Sequence, residues 1–363
     1  MTKAAGTAAD LDDELEIPVI AAAPPALPST GPEAVTFLSV LQRRDFRLLW
    51  VAQACSQVAD KFLMYTLLIV VFTLTGRSST QSVVLLAYTL PSILLSAPAG
   101  VFADRHDKRF LMLGTNLVRA GLLLLIPVIL ATPRLGSTAL PLIVVTTAFA
   151  AVGQFFAPAE AASIPFLVKR DQIMLATSLF MTTVVGALVV GVPLAALVIK
   201  LQGSDAAFYV GAALLLVASA SILLMHTRLR AARRPHAHAP NLRHELREGL
   251  ALLAARPVLQ LGLVQLTVAL VTVFTMFVLA PAYATHILDS PAEDNYQLLL
   301  PAVGGIVLAA IGLGRRGRRL ARAHAVWLAA VLAGALLVAT GYIPGELVRH
   351  NGRLLGLLIA PVL

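Results

Sequence analysis

A carboxylate lies far inside the first long apolar segment of this chain. Asp60 comes about 12 residues into an apolar run that begins near residue 48, which corresponds to a depth of roughly 18 Å in a helix. With about 100° between successive residues, Gln53, Ser56, Gln57 and Asp60 share one helix face and form a polar stripe. A carboxylate at this depth costs about 2.5 to 3.5 kcal/mol, so it should face a cavity or a partner. Such a group can bind and release a proton, and the stripe can line a path for water.

Two cations are candidate partners for Asp60. Arg119 enters a later apolar run from the same side and reaches a similar depth, roughly 14 Å. An ion pair lowers the cost of both charges, and protonation of Asp60 would then release Arg119. Lys61, next to the stripe, is the alternative partner, and the pair is either part of a mechanism or a static contact. A further polar residue, Gln265, marks a corresponding face in a later run or packs between helices.

A second concentration of charge lies between two apolar runs. Residues 100–110 read GVFADRHDKRF, although charged residues make up only 13% of the chain. Lys and Arg accumulate in the cytoplasmic loops of membrane proteins, which explains the basic residues of this loop but not Asp104. The loop is therefore either a topology signal alone or a site with a further role.

The elements that position these residues are membrane helices. The chain has 363 residues, 58% of them hydrophobic, with a mean hydropathy of +0.84, and its apolar residues form long blocks without the alternation of barrel strands. We predict an all-α polytopic membrane protein with nine full spans and part of a tenth, beginning at residue 354. The nine spans are 48–74, 80–101, 110–131, 138–158, 173–200, 206–225, 258–284, 296–314 and 324–343.

The predicted organisation has four parts, and the second half is the shorter one. If both halves contained six helices, about half of the second bundle would be missing. The parts are a disordered cytoplasmic tail over 1–40, a six-helix bundle over 41–225, a cytoplasmic linker with an amphipathic helix over 226–257, and an incomplete second bundle over 258–363.

Charge distribution predicts orientation and excludes several functions. Most of the 28 Lys and Arg residues fall in the tail or in loops on its side of the membrane, which places the N-terminus in the cytoplasm. The net charge of +9 therefore reflects membrane loops rather than binding of nucleic acid. The single cysteine, Cys55, forms no intrachain disulfide. Because phosphate loops, metal-ligand spacings and nucleophile motifs are absent from the sequence, we expect no enzyme activity, cofactor or metal.

The charged loop resembles the hallmark loop of the major facilitator superfamily, Gly-x-Leu-Ala-Asp-Arg-x-Gly-Arg-Lys. Gly100, Asp104, Arg105 and Arg109 match its pattern, whereas Asp107 replaces the usual second glycine. The segment FFAPAEAASIPFLVKRDQIMLATSLF at 155–180 and the linker segment ELREGLALL are similar to the branch that contains the enterobactin exporter and related drug and siderophore exporters. The resemblance covers roughly residues 41–363.

This resemblance implies a two-bundle fold and a function. Asp104, Arg105 and Arg109, with Lys108 beside them, would form a charge network that holds the bundles together on the cytoplasmic side, and Gly100 would allow close helix approach. The chain would be a secondary active transporter that exports a small amphipathic molecule of the drug or siderophore class by alternating access, driven by protons. It would be monomeric and lie in the cell membrane, contacting lipid, substrate and protons. The alternative is a truncated or regulatory membrane protein that does not transport.

Overall fold

The computed structural model describes residues 37–227 and 253–286, together with the isolated positions 229, 251, 304–305, 331 and 334–335. All regular structure in these residues is helical, as the sequence predicts. One 3-10 turn, Arg170–Gln172, accompanies the α-helices. The helices are α1 (Phe37–Leu41), α2 (Arg44–Thr75), α3 (Ser78–Arg105), α4 (Lys108–Ala131), α5 (Leu140–Gly153), α6 (Phe156–Ala161), α7 (Ile164–Leu167), α8 (Ile173–Gln202), α9 (Ser204–Leu223) and α10 (Pro257–His286).

Seven stretches of the described residues are long and apolar enough to cross a membrane. They coincide with the first seven predicted spans, whereas the predicted spans at 296–314 and 324–343 and the partial tenth lie outside the described residues. So do most of the predicted linker and nearly all of the predicted tail. The seven are Arg44–Thr75, Ser78–Arg105, Lys108–Ala131, Leu140–Ala161, Arg170–Gln202, Ser204–Leu223 and Leu259–His286.

Helix α1 lies partly within the segment predicted as a disordered tail. It begins at Phe37, and Val40 is fully buried against the interior of the first bundle. The apolar residues of α1 pack against that interior. The composition of the preceding segment does not predict this contact.

Two glycines close the tight connections between neighbouring spans. Gly76 ends α2 in the left-handed region, with φ of 63°, and its N–H donates to the carbonyl of Phe72 at 2.7 Å. Gly203 joins α8 to α9 with φ of 87°, and its N–H donates to Ile199 at 2.8 Å. Glycine adopts these angles without the steric cost that a Cβ imposes, so each helix can reverse direction within a few residues.

Helix α2 forms the centre of the described helices. It packs against α3, α8, α9 and α10. In its 18-residue apolar stretch 61% is buried, compared with 12% in the corresponding stretch of α10. Large apolar side chains elsewhere remain exposed, such as Ile93 on α3 and Met174 on α8, as expected for surfaces that face lipid. A polar residue on the inner face of α2 is therefore surrounded by protein rather than by lipid.

The fourth span is broken rather than continuous. Its helix α5 ends at Gly153, α6 contains only six residues, and α7 follows after a turn. Pro158 and Pro165 lie in this stretch, and proline removes a backbone donor from a helix. Backbone that departs from a helix at membrane depth is tolerated only where protein or a cavity surrounds it, so the break lies on the protein interior.

Candidate functional site

Asp60 of α2 and Arg119 of α4 form an ion pair within the membrane-spanning region. Arg119 Nη2 donates to Asp60 Oδ1, and no other ion pair occurs among the residues that the structure describes. Arg119 is buried, whereas 16% of the Asp60 side chain is exposed. The alternative pairing of Asp60 with Lys61 is not formed. The stem of Lys61 instead packs against Gly191 of α8, where an added Cβ would lie 2.9 Å from Lys61 Cβ.

Arg119 has three further contacts besides Asp60. Its Nη1 donates to Ser56 Oγ at 2.9 Å, and its guanidinium lies 4.2 Å from the centre of the Phe149 ring. It also lies beside Gly153, the last residue of α5, where an added Cβ would be 3.5 Å from Arg119 Nε. Both the aromatic face and the carboxyl end of a helix favour a cation. The positive charge of Arg119 is therefore supported without Asp60, and because arginine stays protonated, Asp60 is the member of the pair that can change charge.

Two buried donors beside the ion pair lack acceptors. Asn116 Oδ1 accepts from Ser56 Oγ at 3.4 Å, but Asn116 Nδ2 has no partner among the described residues. The same holds for Arg119 Nε, one turn further along α4. Buried polar groups are nearly always satisfied, so unpaired donors of this kind mark a place where contacts are exchanged or where water binds.

The polar stripe of α2 continues from the ion pair to a second buried carboxyl group. Gln53 contacts Glu160 of α6, and with the amide nitrogen of Gln53 facing Glu160, that nitrogen lies 2.8 Å from both carboxyl oxygens. Both residues are buried, with exposed fractions of 3% and 5%. The sequence analysis missed Glu160. The available signal was a single acidic residue two positions beyond the predicted fourth span (138–158), in the segment 155–180 that carries part of the family resemblance.

The other two predicted transport residues are less enclosed. Gln57 is partly buried on α2, and Gln265 is partly buried on α10. The structure therefore places three of the predicted transport residues in buried polar contacts around α2, within the part of the chain that it describes. These are Gln53, Asp60 and Arg119.

The charged loop holds α4 to α9. Arg109 Nε donates to the carbonyl of Ile222 at 3.2 Å, and its Nη2 donates to that of Leu223 at 2.5 Å. These carbonyls belong to the last turn of α9, and that of Ile222 also accepts from the N–H of Met225 at 3.2 Å. Lys108 is buried, and its Nζ lies 5.9 Å from the centre of the Phe166 ring.

The remaining loop residues were expected to join a charge network between the bundles, and that role stays a prediction because most of the second bundle lies outside the described residues. Asp104 and Arg105 are exposed at the end of α3, and within the described residues Asp104 forms no ion pair with Arg105 or Arg109. Among the described residues, nothing lies within 4 Å of a Cβ added at Gly100, so the expected close approach is not seen there. Asp107, which replaces a glycine, caps α4: its φ is −67°, and its Oδ1 accepts from the N–H of Arg109 at 2.9 Å. The loop therefore needs no glycine at this position.

Comparison with known protein families establishes the family of this chain. The family model described as Major Facilitator Superfamily matches residues 49–360, which is most of the chain. The chain belongs to the major facilitator superfamily. Proteins of this superfamily are transporters rather than enzymes, and the membrane-spanning helices agree with a multi-pass membrane protein.

Two solved structures match this chain at low sequence identity. A bacterial homologue of the human lysosomal transporter Spinster, in an inward-facing and unoccupied conformation, matches with a TM-score of 0.62 and 16% identity, covering 88% of this chain and 73% of that one. An auto-inhibited peptide transporter of the POT family matches with a TM-score of 0.44 and 18% identity, covering 81% and 56% of the two chains. No curated protein matches the sequence. The likeness to the Spinster homologue concerns the fold alone.

In this superfamily member a second set of contacts joins the start of α2 to the residues that follow α9. Asp45 Oδ2, at the start of α2, accepts from the Thr227 N–H at 2.8 Å, from its hydroxyl at 2.5 Å and from the His226 N–H at 3.1 Å. Arg44 Nη1 lies 2.8 Å from His226 Nδ1. The sequence analysis did not single out Asp45. Within the described residues, no group of three or more His, Cys, Asp or Glu side chains could hold a metal ion.

Proposed function

We propose that this superfamily member exports small amphipathic molecules of the drug or siderophore class by proton-driven alternating access. The observation that carries the proposal is the Asp60–Arg119 pair, which joins α2 to α4 inside the membrane. Asp60 retains a small exposed fraction, so a proton can reach it from a cavity. The proposed location is the cell membrane.

Protonation of Asp60 would change the attraction between α2 and α4. A proton shifts a conformational equilibrium only if it binds the two conformations with different affinity. In the described conformation Asp60 lies against Arg119, and the attraction between them requires the negative charge of Asp60. A conformation in which the two groups separate favours the protonated form.

Helix α2 can transmit this difference toward the second bundle. It packs directly against α10, and the ring of Phe72 meets that of His286 edge-on, with 6.3 Å between ring centres. A small change in the position of α2 relative to α4 therefore reaches the first helix of the second bundle.

The proposed class of cargo rests on the resemblance to drug and siderophore exporters. An apolar pocket begins one helical turn beyond Asp60 and lies between α2, α3 and α5. In the described conformation this pocket is too narrow for a drug-sized molecule. The pocket is lined by Met64, Leu67, Leu68, Val84, Leu85, Tyr88 and Thr146.

The proposed orientation places the N-terminus in the cytoplasm. Contacts of Arg43 with Leu167, of Lys108 with Phe166 and of Asp45 with Thr227 gather the basic loops at one end of the helices. Collection of Lys and Arg at one end supports a cytoplasmic location for that end under the positive-inside rule.

Transport by the purified protein in liposomes tests the function. We expect ethidium, a fluorescent amphipathic cation, or a catechol siderophore to move when a pH gradient is imposed, and a protonophore to stop this movement. Asp60→Asn should abolish the response to the gradient. Asp205→Asn, which neutralises an exposed carboxylate in the first turn of α9, is the matched control and should transport normally. Gradient-driven transport by Asp60→Asn at the wild-type rate would remove Asp60 from the mechanism, and absence of pH-dependent movement of either compound would refute the proposed function.

A further inference from the structure

Glu160 is a buried acidic residue to which the proposed mechanism gives no role. It lies on the short helix α6, and only 5% of it is exposed. Transfer of an ionised carboxylate out of water is costly unless cations or several hydrogen bonds compensate the charge. The contacts of Glu160 therefore decide which protonation state the structure supports.

The hydrogen bonds to Glu160 are too few for an anion. A carboxylate offers about four acceptor positions. The amide of Gln53 is the only polar side chain within hydrogen-bond distance of Glu160 among the described residues. One neutral amide leaves most of the acceptor capacity unused, whereas a protonated carboxyl group needs fewer donors and can donate its own O–H to the amide oxygen when that end of Gln53 faces it.

The helices packed against α6 provide no cation for Glu160 in the described part of the chain. Within those residues, no Lys, Arg or His nitrogen comes within 4.0 Å of its oxygens. On α4, Arg119 pairs with Asp60, while Lys108 and Arg109 contact Phe166 and the end of α9. The remaining charged or titratable groups of these helices lie on α3 and α2, whereas α5 has none; they are the exposed Asp104 and Arg105 and the residue Tyr88 on α3, and Arg44, Asp45, Arg47, Cys55, Lys61 and Tyr65 on α2.

Glu160 and Asp60 are connected through one helix. Gln53, which contacts Glu160, and Asp60 lie seven positions apart on α2, about 10 Å along the helix axis. Ser56, between them, contacts Arg119. A shift of α2 that separates Asp60 from Arg119 therefore also changes the contact between Gln53 and Glu160. The turns on both sides of α6 interrupt the regular helical hydrogen bonds, with shorter-range bonds from the Phe155 N–H to Val152 and from the Ser163 N–H to Glu160.

We propose that Glu160 is a second proton-binding site, which holds a proton while Gln53 covers it and releases the proton when α2 moves away. The transfer is a simple acid dissociation, in which the O–H bond of the carboxyl group breaks and water accepts the proton. This inference rests on the proposed function only in coupling the release to transport. The binding of the proton can be measured without substrate.

Infrared spectroscopy of the full chain in lipid vesicles tests proton binding directly, because a protonated carboxyl group has a C=O band that an ionised one lacks. We expect a band at neutral pH that is absent from Glu160→Gln, decreases at alkaline pH and shifts in Gln53→Leu. It should persist in Asp60→Asn. If Glu160→Gln is not recovered from the membrane, Glu160→Asp identifies the band by moving it. Absence of the band at every pH, or a band that never changes with pH, would overturn the proposal.

Transport then tests the coupling. If wild type moves two protons for each substrate molecule and Glu160→Gln moves one, a gradient of about one pH unit supports roughly 100-fold and 10-fold accumulation, respectively, with the membrane potential clamped. We expect this tenfold loss for ethidium, while exchange of ethidium at equal pH continues. An unchanged limit in Glu160→Gln would overturn the coupling. If wild type shows no pH-driven transport, the proposed function fails, and the infrared band still decides whether Glu160 binds a proton.

Discussion

Removal of Arg119 should destabilise the protein more than removal of the charge of Asp60. In Arg119→Gln the carboxylate of Asp60 remains within the membrane without its partner, and breaking a buried ion pair in this way costs about 3 to 5 kcal/mol. We expect about 3 kcal/mol, because 16% of the Asp60 side chain stays exposed to solvent. Asp60→Asn should cost only about 1 kcal/mol, since Ser56, Phe149 and the end of α5 still support Arg119.

The double variant separates the pair interaction from the individual contributions. With both charges removed, no uncompensated carboxylate remains, so Asp60→Asn with Arg119→Gln should lose about 2 kcal/mol rather than the sum of about 4 kcal/mol. The resulting coupling energy of about 2 kcal/mol is the quantity that the geometry predicts.

Unfolding in mixed micelles provides the assay. Titration with sodium dodecyl sulfate unfolds the helices, and Cys55, the only cysteine and partly buried on α2, reports the transition by reacting with a thiol-specific dye. The matched control is Asp205→Asn, which should unfold like wild type. If the two single substitutions are equally destabilising and their effects add, the ion pair contributes nothing, and the argument that Asp60 depends on Arg119 is wrong.

Three further substitutions test the surroundings of the site. Gly153→Ala should be tolerated, whereas Gly153→Val should displace Arg119 and slow pH-driven ethidium transport at least tenfold; equal transport by both would show that Arg119 has room to spare. Asp107→Ala should cost about 1 kcal/mol in the unfolding titration and Asp107→Gly only a few tenths, because glycine is tolerated at a helix N-cap; the reverse order would contradict the capping role. Asp45→Asn should lower stability by about 1 to 2 kcal/mol through its bonds to Thr227, and a matching loss in Thr227→Val without additivity would attribute it to this contact.

The charged loop illustrates how far sequence reasoning reaches. Its position between two spans followed from the apolar runs on either side, and the superfamily membership that its pattern suggested is confirmed. The narrower assignment to drug and siderophore exporters stays a proposal. The two carbonyls that Arg109 binds were not predictable, because they lie 113 and 114 positions later in the chain. Local sequence contains no information on which helix end will lie opposite a given side chain.

The buried ion pair likewise shows what the sequence can predict and what it cannot. The depths of Asp60 and Arg119 were readable from the sequence, since helix rise is constant, and this made their pairing a reasonable prediction. The competing partner, Lys61, is the next residue in the sequence and lies at nearly the same depth. Only the rotation of α2, which turns Lys61 toward Gly191 and Asp60 toward α4, decided between the two.

The sequence by itself determined that this chain forms membrane helices, because a backbone in lipid must satisfy its own hydrogen bonds and only helices do so within one apolar run. It also determined which polar residues share a face of α2, since that follows from the period of the helix. The tertiary structure alone decided what those faces meet: Arg119 opposite Asp60, and Glu160 opposite Gln53. The reason is that periodicity describes one helix at a time, whereas the partner of a buried charge depends on how several helices rotate and pack against each other.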